Sequence, residues 1–306
     1  MPRQERHDAP RPEVPPASLA QPVPCTLLTL EQSGGYVSWA RLFEPYAPAG
    51  PPRPVFYLHG IQSHGGWFLK SCDSLRRAGF TVLLPDRRGS GLNPLDRGHG
   101  DSPAQLVEDV DRGVRWLAAR TGAARVDLVA VSWGGKLALA YAAQYPVRVR
   151  AIALIAPGLR PRVDISLVEK IAVGAHGLLQ PRKLHEIPLS NPALFTANAQ
   201  MLRFLERDPL KLTRATASFL LASRRLDALI HRLAPQILAP VRLFLAGQDR
   251  IIDNAATVAL LQPILRPLPA WNAPAQTYPN AHHTLDFEPD PEPFFVDLAA
   301  ALAHPV

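Results

Sequence analysis

Cysteine is nearly absent from this chain: Cys25 and Cys72 are the only two thiols in 306 residues, too few for a disulfide framework. No apolar run reaches the roughly 18 residues that a membrane-spanning helix requires. The first 24 residues lack the apolar centre of a secretory signal. They hold Pro10, Pro12, Pro15, Pro16, Pro22 and Pro24 among polar side chains, so a disordered tail and a cytoplasmic location are expected. No internal repeat is visible. Basic residues nowhere alternate with aromatics as they do in a nucleic-acid groove, which argues against nucleic acid as a partner.

What is present suits a large buried core, since 47% of the residues are hydrophobic and the mean hydropathy is -0.01. The net charge of +7 is uneven. Residues 159–235 carry twelve basic and six acidic side chains, whereas residues 236–306 carry three and seven.

The chain opens with two expected strands, Cys25 to Leu30 and Tyr36 to Phe43, joined at Ser33-Gly34-Gly35. Continuous apolar runs then alternate with helical patterns: Val55 to Leu58, Phe80 to Leu84, Val126 to Val131, Ala151 to Ala156 and Val241 to Ala246. Such runs imply a mostly parallel sheet with helices on both faces. Sites in these sheets lie beyond the carboxyl ends of the strands, where His59, Asp86 and Ser132 fall. The rhythm breaks between residues 159 and 235, which contain helical patterns and no convincing strand. There Asn191-Pro192 and Asp208-Pro209 read as helix starts, the second opening a long helix. A short strand near Gln276 to Tyr278 and a helix over Glu292 to Ala303 complete the reading.

Val126 to Tyr145 carries the chemistry. An apolar strand runs into Ser132-Trp133-Gly134-Gly135 and then an Ala/Leu-rich helix. This is the pattern of a nucleophile elbow, although serine before glycines also begins ordinary helices. Serine needs a base to take its proton and an acid to orient that base. Asp249 follows one expected strand and His283 follows the next, in the order Ser…Asp…His.

With these residues, LHGIQSHGGWF (58–68), PDRRGSG (85–91), AVSWGG (130–135), LAGQDRIID (245–253) and AHHTLDFE (281–288), the sequence resembles the α/β-hydrolase fold. The similarity is to its lysophospholipase and monoacylglycerol lipase-like branch (the serine aminopeptidase S33 type). The resemblance implies a core over residues 25–158 and 236–306 and a helical cap inserted at 159–235. It further implies Ser132 as nucleophile, His283 as general base, Asp249 as its partner, and an oxyanion hole from the backbone N–H groups of Ile61 and Trp133. His282 and Asp253 compete with His283 and Asp249. The aliphatic residue two positions on, in His283-Thr284-Leu285, favours His283, the Gly-x-Asp pattern at the strand end favours Asp249, and Asp253 suits a helix N-cap. Two positions depart from the pattern. Ala130 stands where the elbow commonly has glycine, and Asn93 stands where a serine is common.

His59 is expected to pin the oxyanion loop, and with Gly60 and His64 it is a candidate pocket residue; a solvated loop position suits His64 equally well. Asp86, Arg87 and Arg88 are expected to hold their turn together. The paired histidines lack a third ligand at a recognisable spacing, so no metal is expected, and no organic cofactor. The leading expectation is hydrolysis of small-molecule esters with apolar acyl chains through an acyl-enzyme. Thioesters, amides, C–C bonds or acyl transfer would use the same triad, and a weakly catalytic receptor or scaffold is the alternative of another class. The cap's arginines form either a solvated face or a contact with anionic lipid.

Overall fold

The computed structural model describes residues 23–46, 50–271 and 273–303, so the expected tail lies outside the described residues except for its last two positions. In chain order the strands are β1 (Thr26–Glu31), β2 (Val37–Phe43), β3 (Pro54–Leu58), β4 (Thr81–Pro85), β5 (Val126–Val131), β6 (Val149–Ile155), β7 (Leu184–Glu186), β8 (Arg214–Thr216), β9 (Val241–Ala246) and β10 (Gln276–Tyr278). The helices are α1 (Leu69–Arg77), α2 (Pro103–Thr121), α3 (Gly134–Gln144), α4 (Leu167–Leu179), α5 (Ala199–Arg207), α6 (Ala217–Leu233), α7 (Asn254–Leu261) and α8 (Glu292–Ala303).

Eight strands form one sheet in the order β1-β2-β4-β3-β5-β6-β9-β10. β1 pairs antiparallel with β2, and β2 with β4. From β4 to β10 every neighbour is parallel. The central strands β3 and β5 are buried at every position, as continuous apolar runs require when helices cover both faces. Helices α2 and α3 pack together, α2 against β3 and α3 against β5, while α1 and α8 pack on each other. Ser102 caps the start of α2 and Gly122, left-handed at φ 68°, ends it.

The segment between β6 and β9 departs from its sequence reading in two ways. It contains strands after all, because β7 and β8 pair antiparallel over Leu184↔Thr216 and Glu186↔Arg214. Leu184–Glu186 and Arg214–Thr216 each hold a single apolar side chain and pair only with each other, so neither shows the apolar run that marks a strand of the main sheet. Asp208-Pro209 also opens no helix. The long helix is α6, capped by Thr216, whose hydroxyl accepts the Phe219 N–H at 3.3 Å. Asp208 instead ends α5 and turns its carboxylate into the protein. An Asp-Pro pair meets the local demands of both roles, and only the buried partners of Asp208 decide between them.

Beyond His283 the chain turns through Leu285–Phe287 and buries Asp286. Burial lifts its carboxyl from 3.8 to about 7, against the hydrogen bonds of Ser71. Between these values the unfolded chain ionises Asp286 while the folded one keeps it protonated. The folded state therefore holds the extra proton, and stability falls as pH rises through this window. Asp286→Asn removes the titration. In urea unfolding at pH 4 and pH 8, the wild type is expected to lose roughly 3–4 kcal/mol more than the variant. Equal losses would show that Asp286 ionises normally.

Candidate active site

Ser132 sits between β5 and α3 with φ 52°, a left-handed conformation that a side-chain-bearing residue adopts only when its surroundings enforce it. Three backbone bonds do so. The Ser132 N–H donates to Ile155 C=O at 2.9 Å, and its C=O accepts from Gly135 N–H at 2.9 Å and Gly158 N–H at 2.7 Å. Gly134 is required here, because a Cβ would fall 2.6 Å from the Leu58 carbonyl oxygen and 2.7 Å from that of His59. Ala130 lies fully buried in β5, in register with Leu58 and Leu154. The strained turn thus forms with a methyl at that position.

His283 Nε2 lies 2.9 Å from Ser132 Oγ, and His283 Nδ1 lies 2.8 Å from Asp249 Oδ2. The other Asp249 oxygen accepts the N–H groups of Ile251 at 2.8 Å and Ile252 at 3.0 Å. Burial pushes the Asp249 carboxyl up, but His283 and those two N–H groups outweigh it and hold it below the usual carboxylate range. The competitors are engaged elsewhere. His282 donates its N–H to Glu288 at 2.9 Å, and Asp253 caps α7 by accepting the Ala256 N–H at 2.9 Å.

The loop after β3 faces this trio, and the place of a Gly60 Cβ is 3.3 Å from Ser132 Cβ. His59 Nε2 accepts the Arg87 N–H at 2.9 Å, so the proton resides on Nδ1, which donates to Gly60 C=O at 2.8 Å. A trans peptide points its N–H opposite to its C=O, so holding the Gly60 carbonyl sets the direction of the Ile61 N–H. Burial and then the Arg87 charge push the His59 imidazole from 6.5 down to about 3, keeping it neutral. Among the described residues, neither the Ile61 N–H nor the Trp133 N–H is spent on a backbone acceptor.

His64 does not stand in solvent. It is fully buried: its Nδ1 accepts the Gly66 N–H at 3.0 Å and its Nε2 donates to Asp208 at 3.0 Å. Trp67 Nε1 donates to the same Asp208 oxygen at 2.8 Å. Burial raises the Asp208 carboxyl, but these donors more than offset it and hold it low. The segment between β6 and β9 meets the site at two further points. The Phe195 ring stands edge-on to His283 with centroids 6.0 Å apart, and Trp133 Nε1 donates to Ser223 of α6 at 2.8 Å. Lys136, buried in α3, pairs with Asp227 of α6 at 2.7 Å.

The turn residues divide. Asp86 accepts from Gly65 N–H at 2.6 Å, Leu92 N–H at 2.8 Å and Arg41 at 3.1 Å, and Arg88 pairs with Asp109 at 2.8 Å. Asn93 has a structural role: its amide donates to the Asp86 and Arg87 carbonyls at 2.8 and 3.0 Å and accepts the Trp39 N–H at 2.8 Å. Arg87 leaves the turn for the site. None of the segment contacts had a local signal, since each joins residues more than 85 positions apart. Among the described residues no cluster of three or more His, Cys, Asp or Glu could hold a metal.

A mostly parallel sheet of this order, with a positive-φ serine at one strand end facing a histidine–aspartate pair at two others, defines an α/β-hydrolase. Within that class the chain belongs to the serine aminopeptidase S33 family, whose model matches residues 50–290. The monoacylglycerol lipase of Mycolicibacterium smegmatis is 25% identical over 257 residues, covering 81% of this chain and 88% of that one. Phospholipase YtpA of Bacillus subtilis is 21% identical over 250 residues, 80% and 93% of the two chains. Among solved structures, a soluble variant of the Saccharomyces cerevisiae monoglyceride lipase superposes with a TM-score of 0.78 at 18% identity, covering 94% of this chain and 99% of its own.

Proposed function

We propose that this protein hydrolyses carboxylic esters with apolar acyl chains through an acyl-enzyme on Ser132. The observation that carries the reading is the unbroken hydrogen-bond chain from Ser132 Oγ through His283 to Asp249. Ser132 Oγ attacks the ester carbonyl carbon while His283 Nε2 takes its proton. The carbonyl oxygen becomes an oxyanion held by the N–H groups of Ile61 and Trp133. Collapse breaks the C–O bond and the alcohol leaves with the proton from His283. Water, deprotonated by the same imidazole, then releases the carboxylic acid and restores Ser132. Asp249 keeps the Nδ1 proton in place and balances the imidazolium.

The preference for apolar esters is supported by the aromatic cluster that runs from Phe195, edge-on to His283, through Trp67 to Phe287, and by the names of the relatives that align over most of the chain. A fluorophosphonate probe is the direct test: labelling confined to Ser132, together with turnover of p-nitrophenyl esters that exceeds turnover of aminoacyl amides, is expected. An unlabelled protein, or faster amide cleavage, would overturn the reading.

Contact with a lipid surface belongs to the same proposal. Helix α4 leaves Leu167, Val168, Ile171, Leu178 and Leu179 between 66% and 84% exposed, and Lys170, Arg182 and Lys183 lie on or just after it. Apolar side chains flanked by cations suit an anionic lipid surface. Replacing Leu178 and Leu179 together with aspartate is expected to cut co-sedimentation with anionic phospholipid vesicles by about 10-fold or more, while hydrolysis of a water-soluble acetate ester stays unchanged. Equal sedimentation of both proteins would remove α4 as the contact.

A further inference from the structure

Arg87 is half-buried at the edge of the site. Its N–H goes to His59 at 2.9 Å, and Nη1 reaches its neighbour's carbonyl, that of Arg88, at 3.5 Å. Nη2 donates to the Ile61 carbonyl at 3.0 Å. The guanidinium carbon stands 4.9 Å from the Trp133 ring centroid and 4.8 Å from that of Phe219. Nε is buried without a hydrogen-bond partner. Among the described residues no carboxylate pairs with it. Asp86, its neighbour in sequence, is engaged by Arg41 and two backbone N–H groups. The two residues Arg87 touches on the core side, Ile61 and Trp133, are the two whose N–H groups would receive the oxyanion.

We propose that Arg87 supplies electrostatic stabilisation to the oxyanion hole, as a half-buried cation whose counter-charge is the negative oxygen that forms during acyl transfer. This rests on the acyl-enzyme reading of Ser132. A partly desolvated charge with no carboxylate partner costs free energy in the resting protein, and that cost is offset where a charge of opposite sign develops in the transition state. Burial, with repulsion from Arg97, lowers the guanidinium from 12.5 to about 10, so the cation persists at neutral pH. Phe219 belongs to α6 and covers one side of the guanidinium, limiting the water that would screen its field. The hydrogen bond to the Ile61 carbonyl adds a positioning role, since it braces the peptide that follows the Ile61 N–H.

The test compares Arg87→Gln, which removes the charge, with Arg87→Lys, which keeps it. For a soluble ester, Arg87→Gln is expected to lower kcat by about 30-fold with KM within threefold of wild type, and Arg87→Lys to recover most of the loss. Affinity for a boronic acid, which becomes a tetrahedral anion on serine, should fall in parallel with kcat across the variants. Affinity for the neutral carboxamide of the same chain should not. A second pair leaves Arg87 intact: Phe219→Glu sets a carboxylate beside the guanidinium, and Phe219→Gln is its neutral control. Phe219→Glu is expected to turn over about 10-fold more slowly than Phe219→Gln, and this pair decides the matter if the Arg87 variants do not fold. Arg87→Gln within threefold of wild type, boronate and carboxamide affinities falling equally, or identical Phe219 variants would overturn the proposal. Failure of the underlying reading looks different, because Ser132→Ala would then remain active and unlabelled wild type would still turn over ester.

Discussion

Ser132→Ala is expected to lower kcat for ester hydrolysis by on the order of 10⁶-fold, measured under single-turnover conditions. The size follows from the geometry around the hydroxyl. His283 Nε2 is aimed at Ser132 Oγ at 2.9 Å, and without that oxygen the base has no nucleophile to deprotonate. What persists is the residual catalysis of a hole and a binding site, about 10³–10⁴ over water in enzymes of this kind. Folding should be unaffected. The positive φ of Ser132 is enforced by its backbone bonds to Ile155, Gly135 and Gly158, none of which uses the side chain. A variant retaining more than a hundredth of wild-type kcat would rule out Ser132 as the nucleophile.

Asp249→Asn should cost about 10⁴-fold in kcat, with KM little changed. Here the reason is a proton on the wrong nitrogen. The Ile251 and Ile252 N–H groups both donate to Asp249 Oδ1, so an asparagine will place its carbonyl oxygen there and turn its NH₂ towards His283. An NH₂ facing Nδ1 demands an acceptor, which moves the imidazole proton to Nε2. That nitrogen then donates to Ser132 and cannot take its proton. The double variant Ser132→Ala with Asp249→Asn should be no slower than Ser132→Ala alone, since the two residues act on one step. A loss below tenfold for Asp249→Asn would place the orienting acid elsewhere, with Asp253 the residue to examine next.

The parts of this site legible in the sequence are those whose signal is local. Val126 to Val131 followed by Ser132-Trp133-Gly134-Gly135 announces a strand and a tight turn, because backbone sterics act between neighbours. Asp249 and His283 stand just beyond strands, and in a parallel sheet all such ends lie at one edge. Three residues scattered over 151 positions therefore converge once the strands are recognised. By contrast, β7 and β8 carry no local signal, because each holds a single apolar residue and lies outside the main sheet. Asp208 was read as a helix start because its true partners, His64 and Trp67, are 144 and 141 positions away. Arg87 looked like one more charge in a turn.

The sequence by itself determined the sheet, its helices, the elbow and the order Ser132, Asp249, His283, since each follows from hydrophobic runs, glycines and strand ends. Only the tertiary structure decided what surrounds them. It seated Asp208 against the loop after β3, set Ser223 and Phe219 of α6 against Trp133, and left Arg87 as a half-buried charge beside the two rings. The physical reason is that a charge becomes consequential when water is excluded from it, and exclusion depends on which distant segments close over it. No window of sequence contains that information.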